Sequence, residues 1–171
     1  DAQKKTFVVE YNGKTNEPTR LFLFTVGLNA YKNPKYNLNY AQADANEFEK
    51  TIQSGASGLY KDIKVVNLRD SKATRDEILK QFAHIKQEAK EQDVLIFYYA
   101  GHGVMTAEEP KDFHLVPYDV TQLYGQEGTL RQKAVSATEL KTIAKDINAQ
   151  KRVYILDACQ SAGALDALAR G

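Results

Sequence analysis

The chain has 171 residues, 43% of them hydrophobic and 26% charged, which suits one soluble domain with a sizeable core. Its 23 Lys and Arg against 22 Asp and Glu leave a net charge of +1, which argues against a dedicated nucleic-acid binder. A single cysteine, Cys159, excludes an intrachain disulfide scaffold, and no apolar run reaches the roughly 18–20 residues of a membrane span. The expected compartment is therefore the cytoplasm. Residue 1 is Asp, not Met, which is expected of a processed product or a piece of something longer.

Residues 1–20 read as a leading segment or linker, with a short strand at Phe7-Val8-Val9-Glu10-Tyr11 and a tight turn at Asn12-Gly13. The near-continuous apolar run over 21–28 predicts a strand buried on both faces. Asn39 with Gln42 forms a capping box before a helix over about 40–53, with Ala41, Ala45, Phe48 and Ile52 on one face. A second strand is expected over 63–68. Thr74 with Glu77 then caps a helix over about 75–90 that carries Ile78, Phe82, Ile85 and Ala89 inward. Residues 94–99 read as a third buried strand, ended by Ala100-Gly101-His102-Gly103. A short strand follows at 113–116, and 118–135 reads as a loop. Ser136 with Glu139 caps a helix over about 137–148, with Leu140, Ile143, Ala144 and Ile147 inward. Val153-Tyr154-Ile155-Leu156 reads as a fourth buried strand, followed by Asp157-Ala158-Cys159.

Apolar strands alternating with capped amphipathic helices predict an α/β fold around a mostly parallel sheet, with right-handed crossovers placing helices on both faces. In such sheets, functional residues gather at the carboxyl ends of the strands. Two ends carry unusual polar residues. One delivers His102 between two glycines, which permit unusual backbone conformations and close approach of a substrate backbone. A lone histidine there is otherwise a turn residue. An imidazole held at a sheet's edge suits general-base work. The other end delivers Cys159 in a Cys-Gln-Ser-Ala-Gly turn, whose N–H groups can point at a developing oxyanion. A lone cysteine is commonly a core residue, but a nearby histidine can convert it to a nucleophilic thiolate. Parallel neighbouring strands would bring the two ends together.

Tyr98-Tyr99-Ala100-Gly101-His102-Gly103, followed by Leu156-Asp157-Ala158-Cys159-Gln160-Ser161, closely resembles the caspase-like cysteine peptidases (family C14), best in their orthocaspase and metacaspase branch. The resemblance covers about residues 20–165. Asp157 and Ser161 stand where a caspase signature has Gln and Gly. The metacaspase pattern has Asp before the Cys and Ser-Gly after it. Here Ala162 stands between Ser161 and Gly163. The resemblance implies a three-layer sandwich with a mostly parallel central sheet flanked by helices. It implies that Cys159 attacks the scissile carbonyl, that His102 manages the proton, and that the N–H groups of Gly103 and Cys159 form the oxyanion hole. Animal caspases place an aspartate-binding arginine six residues before an Asp-Ala pair. Asp44-Ala45 matches the pair, and Leu38 occupies the arginine's position. Asp44 and Asp157 match the two acidic residues of the metacaspase specificity pocket, so cleavage after Arg or Lys is expected. As structural residues, these two would instead be a carboxylate near a helix N-terminus and one bonded to a strand-end backbone. No cofactor is expected. Some metacaspases need calcium, but Asp112, Glu108 and Glu109 are too scattered to argue for a site, and His84 and His114 lack zinc-ligand spacing with Cys159.

Residues 21–171 would be the large-subunit part of such a catalytic domain, lacking the small-subunit strands. The expected partners are a protein or peptide substrate, a small subunit of the same precursor and an upstream sensor or repeat domain, with no direct nucleic-acid partner and no membrane. The ending Leu168-Ala169-Arg170-Gly171 suits autocleavage at Arg170 or a nearby basic residue; truncation of a longer chain is the alternative. Two other readings compete. A catalytically silent homologue acting as a scaffold is opposed by retention of both His102 and Cys159. A nucleotide-binding domain is opposed by the absence of G-x-G-x-x-G after the first strand and of a P-loop lysine.

Overall fold

The structure is a computed structural model that describes residues 18–158. The expected strand at 7–11, the Asn12-Gly13 turn, Cys159 and Arg170 lie outside the described residues. Seven strands and four helices follow in chain order: β1 (Arg20–Gly27), α1 (Ala41–Gly55), β2 (Asp62–Arg69), α2 (Arg75–Glu88), β3 (Val94–Gly101), β4 (Gly103–Met105), β5 (Phe113–Leu115), α3 (Glu127–Lys133), β6 (Val135–Ser136), α4 (Ala137–Asp146) and β7 (Lys151–Ala158).

The central sheet has the order β2-β1-β3-β7, with every pair parallel. Side chains alternate across it, as a strand's period of two requires. Leu21 and Leu23 of β1 and Val94 of β3 pack with Phe48, Ile52 and Ala56 on the α1 face. Phe22, Phe24, Leu95 and Phe97 pack on the other face with Ile78, Phe82 and Ile85 of α2 and Leu140 of α4. Phe24, Phe82 and Phe97 meet at 4.9–5.1 Å between ring centroids, in tilted and edge-on contacts. This is the expected three-layer arrangement. A small antiparallel sheet, β4-β5-β6, lies beyond the end of β3.

Local chemistry explains most element boundaries. The Thr74 and Ser136 side chains accept the N–H groups of Glu77 and Glu139, as expected, and open α2 and α4. The expected Asn39 cap is not formed. Tyr40 occupies the N-cap position of α1 without a side-chain bond, and the distant Asn29 Oδ1 accepts the Gln42 N–H at 2.9 Å. The loop expected over 118–135 contains α3, whose seven residues leave too few apolar positions for a visible period. β3 runs on through Ala100-Gly101, and the chain resumes as β4 just after His102.

Burial of β7 also departs from expectation. Among the described residues it pairs with β3 alone, and Val153 and Ile155 are 46% and 36% exposed. They lie on the α1 side, where α1 covers β1 and β3 but does not extend to β7. No helix among the described residues is long and apolar enough to cross a membrane.

Candidate active site

Two small residues bring α1 down onto the carboxyl end of the sheet. A Cβ at Gly27 would lie 2.7 Å from the Ala45 Cβ and 2.9 Å from the Ala41 carbonyl oxygen. This close packing sets Asp44, one residue before Ala45, over the ends of β3 and β7. Asn37, Leu38, Asn39, Tyr40, Ala41 and Asp44 form one side of a cleft of about 360 Å³, and Ala100, Gly101, Asp157 and Ala158 form the other.

Asp44 and Asp157, far apart in sequence, thus face one cavity, and both carboxylates are exposed to it. Tyr98 lies beneath them. Its hydroxyl donates to Asp157 Oδ2 at 3.3 Å, and its ring stacks on Phe48 at 4.3 Å. Burial, then the charges of Asp157 and Asp44, push the Tyr98 phenol up to about 12. The hydroxyl therefore stays protonated and serves as a donor. Leu38, the residue at the position of the caspase arginine, lines the same cleft and offers no positive charge.

His102 follows β3 and is held at three points. Its backbone N–H donates to the Tyr31 hydroxyl at 2.8 Å. Its carbonyl accepts the Tyr99 hydroxyl at 2.8 Å and the Val116 N–H at 3.1 Å. Its ring Nε2 lies 2.7 Å from the Tyr36 carbonyl oxygen. A carbonyl can only accept, so Nε2 carries the proton, and in the neutral ring Nδ1 carries the free lone pair. The Tyr31 ring packs against the imidazole at 5.1 Å. These hydroxyls also explain Gly101. A Cβ there would sit 2.7 Å from the Tyr99 hydroxyl and 2.8 Å from that of Tyr31. The glycine makes room for two tyrosines that hold the histidine, a reason distinct from the substrate approach expected from sequence.

The β3–β7 register pairs Ala100 with Asp157 and Gly101 with Ala158. The residues immediately before His102 and Cys159 are therefore strand neighbours. Gly103 opens β4 directly after His102 and is buried. Tyr31 and Tyr36 are functional candidates that the sequence reading missed. One acts through a hydroxyl across a loop and the other through its backbone carbonyl, and neither has a sequence signature.

The other candidates do not join this cleft. His114 is buried in the small sheet, its Nδ1 3.2 Å from the Asp112 carbonyl oxygen, and burial pushes its pKa down. The Asp112 carboxylate accepts the Phe113 and Thr138 N–H groups, and that of Glu109 accepts the Lys111 N–H, so these acids are engaged locally. Among the described residues, no group of three or more His, Cys, Asp or Glu side chains could hold a metal ion.

Comparison with known proteins agrees with this architecture. The model of the caspase domain of C14 peptidases matches residues 22–170, nearly the whole chain. The chain belongs to this family of cysteine peptidases. It is 31% identical over 98 residues to metacaspase-5 of Trypanosoma cruzi (strain CL Brener), a match covering 54% of this chain and 21% of the relative. The fold is also similar to the crystal structure of protein GSU0716 from Geobacter sulfurreducens, with a TM-score of 0.63 and 21% identity over 82% of this chain and 50% of that one. The chain thus spans about a fifth of the metacaspase's length and half of the solved chain's.

Proposed function

We propose that the chain is the catalytic part of a cysteine endopeptidase that cleaves after Arg or Lys through a Cys159–His102 dyad. The observation that carries this reading is one strand-end cleft with the Asp44 and Asp157 carboxylates, beside a histidine whose Nε2–H is fixed on the Tyr36 carbonyl. Nδ1 takes the thiol proton of Cys159, and the thiolate attacks the scissile carbonyl carbon. The N–H groups of Gly103 and Cys159 stabilise the oxyanion. The C–N bond breaks as His102 returns the proton to the leaving amine, which leaves a thioester on Cys159. Water then attacks the thioester, giving its proton to His102. The sulfur departs, the acid product leaves and the thiol is restored. The dyad supplies this chemistry without a cofactor.

Asp44 and Asp157 bind the guanidinium or ammonium group of the residue before the cut, by charge-assisted hydrogen bonds. An acidic residue there would meet two like charges. A small subunit from the same precursor completes the substrate groove and pairs with β7, whose edge and apolar face are open among the described residues. Self-cleavage near Arg170 separates the two parts. The test uses the full-length protein and peptides that differ only at the residue before the cut. Arg and Lys peptides are expected to turn over, Asp peptides to remain uncut, and Cys159→Ala and His102→Ala each to abolish turnover, with the same result when calcium is removed. Faster cleavage of Asp peptides refutes the specificity. A folded wild type that neither cleaves nor is labelled at Cys159 by a peptidyl chloromethylketone refutes the peptidase reading in favour of a scaffold. A Cys159→Ala precursor still cut at this end refutes self-cleavage.

A further inference from the structure

The loop after β1 holds His102, and one residue outside it ties down the loop's start. Asp70, at the end of β2, is the only non-glycine residue among those described with a positive φ, 45°. That backbone turns its carboxylate back toward the end of β1. Oδ1 accepts the Asn29 N–H at 2.8 Å and the Ala30 N–H at 2.9 Å. The next residue is Tyr31, whose hydroxyl takes the His102 N–H. Further along, Asn37 Oδ1 accepts the Tyr31 N–H, the Leu38 N–H returns to the Asn29 carbonyl, and the Tyr36 carbonyl takes the imidazole Nε2–H. Asn29 Oδ1 meanwhile accepts from Gln42 at the start of α1. Asp70 thus fastens Asn29, at the start of the loop that supplies two of the holds on His102. Strained backbone persists where its surroundings require it, and here it serves to aim one acceptor oxygen at two successive amides.

We propose that Asp70 is a positioning residue for His102: its carboxylate, through the amides of Asn29 and Ala30, keeps the Tyr31 hydroxyl and Tyr36 carbonyl where they fix the imidazole as the Nε2–H tautomer. This rests on the peptidase reading for its consequence in catalysis, but not for its structural content.

The test compares full-length wild type with Asp70→Asn and Asp70→Gly. Asparagine tolerates positive φ and keeps an acceptor oxygen, whereas glycine relieves the backbone and removes the acceptor. The readouts are melting temperature, kcat and KM on an Arg peptide, and the ¹⁵N signature of the His102 ring. Asp70→Gly is expected to remain folded, to lose about tenfold in kcat with a smaller change in KM, and to show a mixed ring tautomer. Asp70→Asn is expected to restore most of kcat and the Nε2–H signal. A Gly variant with wild-type kcat and ring signals overturns the proposal. So does one whose activity falls only with its folded fraction while the ring signature stays unchanged. If the wild type proves folded but inactive, the peptidase reading fails, and the ring signature alone decides for or against Asp70.

Discussion

Tyr98 reaches the proposed specificity pocket through a single hydroxyl. Its O–H donates to Asp157 Oδ2, and the Phe48 stack on its ring holds it there. Both carboxylates face one cleft, and this donor fixes the position of one of them. Tyr98→Phe keeps the stack and removes the donor. A hydrogen bond to a charged group is worth roughly 1.5–3 kcal/mol, and at 3.3 Å the lower figure applies. The expected result in the full-length protein is therefore a rise of about tenfold in KM for Arg peptides, from about 1.4 kcal/mol, with kcat nearly unchanged. Steady-state kinetics on a peptide series checks it; an unchanged KM would show that Tyr98 only packs. At this scale the sequence reveals residues whose chemistry lies in their own side chain and strand-end position. His102, Asp44 and Asp157 are of that kind. Tyr31, Tyr36 and Asp70 act through loop geometry, a main-chain carbonyl and a positive φ, none of which residue type encodes.

Elements in this fold are fastened at both ends, and the lower end of the sheet depends on one buried ion pair. Asp93, just before β3, is fully buried. It accepts the Arg20 backbone N–H, Nε and Nη2, the last at 2.6 Å, and the Lys90 N–H at 2.9 Å. It thereby locks the start of β1 to the start of β3, the strand whose far end lines the cleft. Burial pushes the Asp93 carboxyl up, but the Arg20 side chain and the two backbone N–H groups outweigh it and hold the pKa below its ordinary value. The folded value lies below the unfolded one, near about 3.9, so the stabilisation is complete above about pH 4 and is lost as pH falls through the folded value. Asp93→Asn should cost about 3 kcal/mol at pH 7, the usual result of breaking a buried pair, and the deficit should shrink at pH 3. Urea unfolding at the two pH values measures this, and an equal deficit at both would exclude the carboxylate's charge as the cause. Sequence legibility at this scale follows the same physics. The Thr74 and Ser136 caps are local, so three-residue spacing reveals them. The α1 start is capped by Asn29 from another loop, so its nearest polar residue, Asn39, gives the wrong answer.

For the molecule as a whole, β7 separates what is built within residues 18–158 from what the proposed small subunit supplies. Its sequence has the composition of a strand covered on both faces, which is why it reads as buried. Cover comes from neighbours in space, however, and α2 and α4 provide it on one face only. Tyr154 and Leu156 pack into the main core, whereas Val153 and Ile155 meet solvent. The two possibilities separate cleanly in the full-length protein. If nothing else covers this face, Ile155→Lys is a surface change worth within about 0.5 kcal/mol. If the small subunit covers it, the substitution removes a buried side chain worth roughly 1.5–3 kcal/mol and sets a charge against apolar neighbours. We expect the second result, seen as a clear fall in melting temperature. Leu59→Lys serves as the control, because Leu59 is 73% exposed on the loop before β2, away from this face, and should leave melting unchanged. A melting temperature for Ile155→Lys equal to the control's would mean that the α1 face of β7 remains open to water, and the groove would have to be completed without a subunit seated there.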